Sequence, residues 1–321
     1  MTKNTQEQKL KKEVFQVSAP AKVNLSLIVK GKRADGYHEL ISPAIPITLE
    51  DVLKITVDEG DSKLQTSFTP GKNLSRGQRE RVKKLTIEKE NSLTRAWHWW
   101  TVNRRIIPQG WNIEVEKNIP IEAGLGGGTA DGAAFLKVLS ERMSLPLPKG
   151  DFVEPLGSDM AFCLRQRPGW IRGRGEIVKP LKLSQKLELC LAAPDFGISS
   201  NTAYENLDIE FHSSCQTMKY GGNLKPFDSE DNTGDNSAVY SKITLENILN
   251  IGTNCLWDFA QITHPTLNDL KNIMSGLGAY KTGMTGSGPT IFGVFPSKQT
   301  AHEAAMQLTR QGFWACAVSN L

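Results

Sequence analysis

Alternating apolar and polar positions dominate the first half of the chain. In "APAKVNLSLIVKG", Val23, Leu25, Leu27 and Val29 alternate with mostly polar residues, which is the period of a strand with one buried face. The same alternation recurs in "DVLKITVDE" and "WNIEVEKNIP", whereas helical spacing appears in "ENSLTRAWHWWTVNRR" and "TADGAAFLKVLSERM". These patterns predict a mixed α and β first half whose neighbouring strands are mainly antiparallel.

A different pattern begins after about Arg172 and predicts a second domain. We expect a strand running into a loop in "KLELCLAAPDFGIS", and helices in "ITLENILNIGTNCLWDFA" and "PTLNDLKNIMSGL". Two strands about a glycine turn are predicted in "YKTGMTGSGPTIFGVF", followed by a helix in "SKQTAHEAAMQLTRQG" and a closing strand in "FWACAVS". The chain is therefore predicted to be an α+β protein with domains at 13–172 and 173–321. The polar residues 208–237 are expected to form a surface loop.

Composition and charge narrow the class of protein. The 321 residues carry a net charge of +4, with Lys and Arg scattered among nearly as many carboxylates, which argues against a dedicated nucleic-acid or membrane surface. The five cysteines lie far apart and the five histidines form no i, i+4 pair, so we expect a reducing cytoplasm and no zinc site. The polar N-terminus and the lack of an apolar run of about 18 residues predict a soluble protein with a loose N-terminal tail.

Four glycines precede a helical pattern in "IPIEAGLGGGTADGAAFLKVL". They allow tight turns and close backbone approach, and Thr129 occupies the position expected for a helix N-cap. Such a loop presents free N–H groups at the positive end of a helix dipole, which predicts a phosphate-binding loop. Gly132 is no capping-box partner, and we expect Asp131 to point away from a phosphate. No lysine follows the glycines, which excludes a Walker loop, but a plain glycine-rich turn stays open as an interpretation.

Two polar positions elsewhere also suggest chemistry. Lys22 and Asn24 are two apart on one face of the first predicted strand, roughly 6.6 Å from each other, although such a lysine is more often solvated. In "PLGSDMAFCL", Ser158 is a plausible N-cap, and Asp159 is expected to be the first helical residue, where backbone amides keep a carboxylate ionised. A structural cap explains this aspartate as well as catalysis does. The glycine turn about Ser287 taken alone reads as a hairpin.

Taken together and in this order, three stretches resemble the motifs of the GHMP small-molecule kinases: "PAKVNLSL", "IPIEAGLGGGTADGAA" and "GMTGSGPTIFGVF". Within that family, "GKRADGYHEL" and "LGSDMAFCL" resemble the kinases of 4-diphosphocytidyl-2-C-methyl-D-erythritol. The resemblance implies a ribosomal-protein-S5-like N-terminal domain, a ferredoxin-like C-terminal domain and an active site in the cleft between them. The implied reaction is ATP-dependent phosphorylation of the 2-hydroxyl of that compound, a step of the non-mevalonate isoprenoid precursor pathway.

The resemblance also implies roles for the matching residues. Asp159 is implied as the base that accepts a proton from the substrate hydroxyl, and Lys22 as the cation that keeps Asp159 ionised. Adenine is expected near the start of the "ENSLTRA" helix, and Mg²⁺ is expected to bridge the ATP phosphates with Thr129 as a candidate ligand. The ATP phosphates are expected on Gly124, Leu125, Gly126, Gly127, Gly128 and Thr129.

A substrate with a cytidine diphosphate moiety is expected to bind through "DGYHEL". Tyr37 offers a ring on which cytosine can stack, and His38 offers a donor and an acceptor to the edge of the base. Tyr204, or less favourably Phe196, is expected to close the stack from the other side, and Asn24 to hold the methylerythritol end. No nucleic-acid or membrane partner is expected, and the chain is expected to be a monomer or a weak homodimer.

Other functions stay open on the sequence. A GHMP kinase of another small alcohol, such as homoserine or mevalonate, would share every motif except "DGYHEL". A non-catalytic protein of the same fold that binds nucleotide is a second alternative, but the presence of Lys22, Asp159 and the complete glycine loop argues against it. An RNA-binding function, suggested by tryptophans near Arg104 and Arg105, is disfavoured because their spacing suits a helix packed on a sheet.

Overall fold

Two β-sheets with packed helices organise the chain, which confirms the predicted α+β class. None of the described helices is long and apolar enough to cross a membrane. The predicted N-terminal tail and nearly all of the predicted loop 208–237 lie outside the described residues. The computed structural model describes residues 12–58, 62–85, 90–104, 109–147, 156–209, 241–250 and 254–321.

The described residues form twelve strands and nine helices. The strands are β1 Glu13–Asn24, β2 Ile28–Lys32, β3 His38–Asp58, β4 Leu64–Pro70, β5 Gly110–Lys117, β6 Gly169–Gly173, β7 Ile177–Leu183, β8 Glu188–Ala193, β9 Ser241–Ile243, β10 Lys281–Met284, β11 Ile291–Phe295 and β12 Trp314–Ser319. The helices are α1 Arg76–Lys83, α2 Ser92–Arg104, α3 Gly127–Met143, α4 Met160–Arg165, α5 Ser200–Ile209, α6 Leu245–Asn250, α7 Trp257–Thr263, α8 Thr266–Gly276 and α9 Lys298–Arg310.

The 21-residue strand β3 organises the first sheet because it pairs with β1, β2, β5 and β6. All four pairings are antiparallel, as the alternation in the first half of the sequence predicts. The pairs β4 with β5 and β7 with β9 are parallel. The register of β1 against β3 shifts between Pro20 and Lys22, directly before the first of the polar positions singled out above.

The second sheet has the strand order β10, β11, β8, β12, and every pair in it is antiparallel. Along the chain these strands and their helices follow the β-α-β-β-α-β order of a ferredoxin-like domain. The chain changes sheet between Leu183 and Glu188, because β7 still pairs with β6. A domain boundary at residue 173 therefore differs from the point where the sheets change, and the division 13–172 and 173–321 stays a prediction.

The core of the first domain lies between its sheet and the helices α2 and α3. Trp100 of α2, Trp111 of β5 and Phe135 of α3 are fully buried, and the rings of Trp111 and Phe135 are 5.5 Å apart. Fully burying one such apolar side chain contributes on the order of 1.5–3 kcal/mol. The tryptophans thus pack helices on the sheet, as their spacing predicts. This packing holds α3 in place with its N-terminus at the cleft.

One predicted helix is divided in two. The pattern in "ITLENILNIGTNCLWDFA" predicts a single helix, but the structure has the separate helices α6 and α7. Asn254, just before α7, donates from Nδ2 to the carbonyls of Met284 (2.9 Å) and Gly286 (2.7 Å). Its Oδ1 accepts from the backbone N–H of Leu256 at 2.9 Å. These bonds tie Asn254 to a distant turn instead of to a helix, which apolar spacing alone does not reveal.

The cysteines bear on the expected compartment. Cys163, Cys190 and Cys316 are free thiols, whereas Cys255 is disulfide-bonded. Disulfides are rare in reducing compartments, so the expectation of a reducing cytoplasm does not follow from cysteine spacing alone. The cytoplasmic location stays a prediction.

A buried ionic cluster joins β3, β5 and α3 behind the glycine loop. Lys117 Nζ donates to Asp51 Oδ2 and, at 2.7 Å, to Asp131 Oδ2, and all three side chains are at most 4% exposed. Asp51 Oδ1 also accepts from the backbone N–H groups of Asn118 at 2.6 Å and Ile119 at 2.8 Å. Asp131 therefore turns toward Lys117, as expected of a residue that avoids a phosphate.

The cluster holds two carboxylates and one cation, and this imbalance affects the pKa of Asp131. Burial raises the pKa of Asp131 well above its usual value, and the neighbouring charge of Asp51 raises it further. Asp51 is the better stabilised anion, because two backbone N–H groups bind it. Among the described residues no hydrogen-bond partner reaches Asp131 Oδ1. Because its pKa is raised, Asp131 binds a proton at a higher pH than an ordinary aspartate does.

Asp131→Asn should remove a pH dependence of stability. Because the folded-state pKa of Asp131 lies above its unfolded value of about 3.9, the folded state binds more protons, and its stability falls as pH rises from roughly 4 through the raised pKa. The free energy of unfolding of the parent, measured in urea, should therefore decline relative to that of Asp131→Asn over this interval. Asp269→Asn, which removes an exposed carboxylate at the first turn of α8, serves as the control substitution. A parent-to-variant difference that does not change with pH would contradict the assignment.

Candidate active site

A cleft of about 1040 Å³ collects all the predicted site residues except Phe196, the less favoured alternative to Tyr204. Its walls come from β1, the start of β3, the glycine loop, the N-termini of α2 and α4, helix α5 and the turn after β10. The predicted residues that line it are Lys22, Asn24, Tyr37, His38, Gly124, Leu125, Gly126, Gly127, Gly128, Thr129, Asp159 and Tyr204. Their individual roles stay predictions, but their convergence on one space is a property of the fold.

The glycine loop leads into α3 without a side-chain cap. Gly126 is the N-cap residue, with left-handed backbone at φ 71°, and no side-chain hydrogen bond caps the helix within the described residues. The expectation that Thr129 is the N-cap is wrong: α3 begins at Gly127, and Thr129 is its third residue. A glycine can enter a helix from a left-handed conformation, so the helix starts before the first hydroxyl. The first N–H groups of α3 are therefore not occupied by a capping side chain, as the phosphate-loop prediction requires.

The glycine turn after β10 supports this loop from the second sheet. A Cβ atom on Gly124 would collide with the carbonyl oxygen of Thr285, and one on Gly286 would lie 2.7 Å from the carbonyl oxygen of Gly124. Thr285 Oγ1 accepts from the backbone N–H of Asn24 at 2.9 Å and donates to the Gly124 carbonyl at 3.4 Å. The turn is thus more than a hairpin, because it holds the glycine loop against β1.

Lys22 and Asp159 form an ion pair beside the start of α3. Lys22 Nζ lies 3.3 Å from Asp159 Oδ2, and the two side chains are 6% and 29% exposed. Lys22 is therefore not a solvated lysine, and its partner opens to the cleft. A Cβ atom on Gly126 would lie 3.1 Å from Lys22 Cγ and 3.4 Å from Asp159 Oδ2. The bare backbone of Gly126 is what lets the helix start approach the pair.

Asn24 orients the lysine. Lys22 Nζ donates to Asn24 Oδ1, and Asn24 Nδ2 donates to Ser42 Oγ at 2.7 Å. Ser42 Oγ in turn donates to the carbonyl of Ser26 at 2.6 Å. This chain of bonds fixes which end of the amide faces the lysine, since the donor side of Asn24 is already engaged. Asn24 therefore positions the cation, in addition to any contact with substrate.

Asp159 is one position earlier in its helix than predicted. It is the N-cap of α4, with no side-chain cap hydrogen bond in the described structure, and Met160 is the first helical residue. The first turn closes through the Met160 N–H to the Gly157 carbonyl at 3.0 Å and the Cys163 N–H to the Asp159 carbonyl at 2.9 Å. Ser158 does not cap the helix. The Asp159 carboxylate is consequently left for Lys22 and the cleft and does not satisfy the helix, which argues against a purely structural cap.

The aromatic residues pair differently from the expectation. The rings of His38 and Tyr204 stack at 5.1 Å with 24° between their planes, so in this conformation Tyr204 faces His38 instead of lying opposite Tyr37. The reason is that His38 is buried at the start of β3 and α5 places Tyr204 against it. Burial, and secondarily the charge of Asp159, raises the pKa of Tyr204, which therefore stays a neutral phenol. Phe196 stacks on His264 at 4.4 Å and packs into the core of the second sheet.

Three residues in or around the cleft have no individual role predicted from the sequence. Asn91, before α2, accepts from the N–H groups of Leu93 and Thr94 at 3.0 Å, and it lines the cleft where adenine is expected. Arg174 reaches the cleft from the turn between β6 and β7. Asn254 supports the glycine turn from behind. An asparagine just before a helical pattern is a capping signal that identifies Asn91, but nothing local identifies the other two.

Comparisons with known proteins agree with this geometry. The sequence profiles of the GHMP kinases N terminal domain and of the GHMP kinases C terminal match residues 91–167 and 245–313. Two relatives named 4-diphosphocytidyl-2-C-methyl-D-erythritol kinase are similar over almost their whole length. The protein of Caldicellulosiruptor bescii is 32% identical, over 92% of this chain and 94% of its own. That of Thermodesulfovibrio yellowstonii is 31% identical, over 94% and 96%.

A solved structure extends the similarity to three dimensions. A crystal structure of 4-(cytidine 5'-diphospho)-2C-methyl-D-erythritol kinase matches with a TM-score of 0.69 and 27% identity, over 95% of this chain and 98% of the other. The similarity thus includes both sheets and the cleft between them. The chain belongs to the GHMP kinases and, within them, to the family of the 4-diphosphocytidyl-2-C-methyl-D-erythritol kinases.

Proposed function

We propose that this protein phosphorylates the 2-hydroxyl of 4-diphosphocytidyl-2-C-methyl-D-erythritol with ATP, as a step of the non-mevalonate isoprenoid precursor pathway. The observation that carries the proposal is the Lys22–Asp159 pair, held 3.3 Å apart beside an uncapped helix start. The family supplies the substrate, since the relatives are named for it. A reaction that consumes ATP and a cytidine nucleotide is expected in the cytoplasm.

The ATP phosphates are proposed to bind the loop Gly124–Thr129 and the N-terminus of α3. Backbone N–H groups and the helix dipole favour an anion there, and no capping side chain of the described residues competes for those groups. Adenine would lie at the other end of the cleft, beside Asn91 and Ser92 at the start of α2. ATP would then lie with its terminal phosphate toward Lys22 and Asp159.

The chemistry assigned to the pair is phosphoryl transfer to an alcohol. The substrate hydroxyl oxygen forms a bond to the γ-phosphorus, the bond from that phosphorus to the bridging oxygen breaks, and ADP leaves. Asp159 accepts the hydroxyl proton, and Lys22 keeps Asp159 ionised and balances charge on the transferring oxygens. Because positioning and electrostatics provide most of the catalysis in such reactions, a weak but aligned base is sufficient.

The residues near the phosphate site fit Mg²⁺ carried by ATP. The Thr129 hydroxyl borders the cleft, and a Cβ atom on Gly157 would lie 3.3 Å from its Oγ1, so the glycine keeps that space open. Within the described residues no group of three or more His, Cys, Asp or Glu could hold a metal. Magnesium commonly takes most of its ligands from phosphates and water, so Thr129 Oγ1 is the protein oxygen proposed to hold it, and the ion would neutralise phosphate charge.

The substrate test compares three alcohols. Purified protein with ATP and Mg²⁺ should release ADP with 4-diphosphocytidyl-2-C-methyl-D-erythritol as acceptor, because only this compound can engage both the Tyr37–His38 segment and Asp159. Homoserine and mevalonate, run alongside, should give ADP release no faster than the rate without acceptor. Preferred turnover of either control would assign the protein to another branch of the GHMP kinases, and binding of ATP without turnover of any acceptor would point to a non-catalytic role.

Asp159→Asn should abolish turnover while leaving binding nearly intact. The amide cannot accept the hydroxyl proton, and loss of a general base costs roughly 100- to 10,000-fold in kcat. Dissociation constants for ATP and for the cytidine substrate, measured by calorimetry, should change only a few-fold. Asp269→Asn, a carboxylate removed from α8 away from the cleft, provides the matched control and should keep parental kcat. A kcat for Asp159→Asn within a few-fold of the parent would remove Asp159 from the mechanism.

Tyr37→Ala should weaken the cytidine substrate selectively. Stacking of a base on an aromatic ring contributes about 1–3 kcal/mol, so KM for the cytidine substrate should rise roughly 5- to 150-fold while KM for ATP stays constant. Tyr280→Ala is the matched control, because Tyr280 is 55% exposed, close to the 52% of Tyr37, and lies outside the cleft. Equal loss of affinity for both substrates would place the cytosine elsewhere.

A further inference from the structure

Helix α1 lies outside the cleft, yet it contacts the chain that leads into the glycine loop. None of its residues lines the cleft. Gln78 of α1 is fully buried, and its Oε1 accepts from the backbone N–H of Ile121 at 3.0 Å. Ile121 lines the cleft shortly before Gly124. The helix is therefore attached to the chain at the entry of the proposed phosphate loop.

Asp195, which follows β8 of the second sheet, binds the N-terminal end of α1. Its carboxylate accepts from Ser75 Oγ and from the backbone N–H of Gly77, the latter at 3.2 Å. Arg81 Nη2 donates to the Asp195 carbonyl. A carboxylate is favourable at a helix N-terminus because it meets unpaired N–H groups and the positive end of the dipole. A helix that follows β4 of the first sheet thus holds a segment that leaves the second.

Two glycines permit this close approach. A Cβ atom on Gly77 would lie 2.7 Å from Asp195 Oδ2, and one on Gly197 would lie 2.6 Å from Glu122 Cβ. The backbone N–H of Ile198 donates to the Glu122 carbonyl at 3.1 Å. The segment that begins at Asp195 is therefore bound to α1 at its start and to the entry of the glycine loop at its end.

The backbone of Glu122 is strained and is held by the same elements. Glu122 has φ 54°, a left-handed conformation that is unfavourable for a residue with a Cβ atom. Such a conformation persists where the surrounding structure fixes it. Here the N–H of Ile121 is bound by α1, and the carbonyl of Glu122 is bound by the segment after Asp195. The loop entry is thus held by the two elements that Asp195 joins.

Helix α5 continues from the same segment. Its first residue, Ser200, follows Ile198 by two positions and forms a hydrogen bond with Ser287 of the glycine turn at 3.0 Å. Tyr204 of α5 lines the cleft and stacks on His38. The segment between Asp195 and α5 therefore connects the entry of the glycine loop to a wall of the cleft.

We propose that Asp195 is a positioning residue that joins the entry of the glycine loop to α5 through helix α1. It does not line the cleft, so it acts on the reaction only through the elements that it holds. Its contacts are exposed to solvent, and such hydrogen bonds contribute little to the free energy of unfolding. Their loss should therefore change the alignment of the two substrates more than the stability of the fold. The inference rests on the proposed function and adds to it a residue outside the cleft.

The experiment measures kcat, both KM values and thermal unfolding of the full-length protein, with ATP and the cytidine substrate. Asp195→Ala should lower kcat roughly 10-fold, because a displacement of about 1 Å caused far from the chemistry can cost 100-fold in rate. Its melting temperature should fall by only a few degrees. Asp195→Asn, which keeps one acceptor oxygen, should retain more of kcat than Asp195→Ala does.

Gly77→Ala is a second variant, which breaks the contact without removing the carboxylate. The new Cβ atom displaces Asp195 Oδ2, whereas alanine is a better helix former than glycine. This variant should therefore lower kcat in the same direction as Asp195→Ala. It carries the test if Asp195→Ala does not fold.

Ser297→Ala is the matched control for the loss of a hydrogen bond at a helix N-terminus. Ser297 caps α9, its Oγ accepts from the N–H of Thr300 at 3.2 Å, and it does not line the cleft. Its removal should lower the melting temperature by at least as much as Asp195→Ala does. The parental kcat should be retained.

Hydrogen exchange provides a measurement that does not depend on turnover. The N–H groups of Ile121, Ile198 and Ala203 are all hydrogen-bonded in the structure. In Asp195→Ala they should exchange roughly fivefold faster than in the parent, because the loop entry and α5 lose the same support. In Ser297→Ala they should exchange as in the parent.

Three results would overturn the inference. A kcat of Asp195→Ala equal to that of Ser297→Ala would mean that the contact only stabilises the fold. Faster exchange at Ile198 with none at Ile121 would mean that Asp195 does not reach the glycine loop. Unchanged exchange at all three N–H groups would remove Asp195 from both segments. A folded parent that does not turn over the cytidine substrate would instead overturn the proposed function, and the exchange rates would still decide whether Asp195 joins the two segments.

Discussion

The left-handed backbone at Gly126 is the constraint on which the rest of the site depends. It starts α3 directly against Lys22 and Asp159, where a Cβ atom would need left-handed backbone and would lie only 3.1 Å from Lys22 Cγ. A glycine at this position thus favours the close meeting of the positive end of the helix, a cation and a carboxylate. A phosphate bound to the helix N–H groups would face the pair that is proposed to act on the hydroxyl. Phosphoryl transfer requires this alignment of nucleophile, phosphorus and charge.

Two buried lysines, Lys117 and Lys22, border the glycine loop, and they differ in the partners that compensate their charge. Removing a charge from water costs several kcal/mol per ion, so each lysine needs compensation within the protein. Lys117 obtains it from two buried carboxylates, Asp51 and Asp131. Lys22 obtains it from Asn24 and from Asp159, whose side chain is partly exposed to the cleft. An anionic ligand can approach the second arrangement far more readily than the first.

The fold class could be predicted because buried apolar residues recur along the sequence with the period of a strand in β1 and of a helix in α3. The convergence of the predicted residues on one cleft could be predicted because the motifs that carry them stand at the ends of those elements, whereas the roles of these residues stay predictions. The caps could not: α3 begins at Gly127 instead of after Thr129, and α4 is capped at Asp159, because glycine and bend geometry decide where a helix starts. Arg174 and Asn254 were missed for another reason. Their partners lie far along the chain, and no local pattern records such contacts.

The two sides of the cleft depend on different parts of the fold. On the phosphate side, Thr285 bonds to both Asn24 and Gly124, so the position of the glycine loop relative to β1 is set by a turn of the second sheet. At the proposed cytidine end, Tyr37 and Arg174 both belong to segments of the first sheet. A shift of one sheet against the other would therefore move the glycine loop relative to β1. The proposed alignment of the transferred phosphate with Asp159 thus depends on contact between the sheets, and the stacking of Tyr204 from α5 on His38 makes the proposed base site depend on that contact as well.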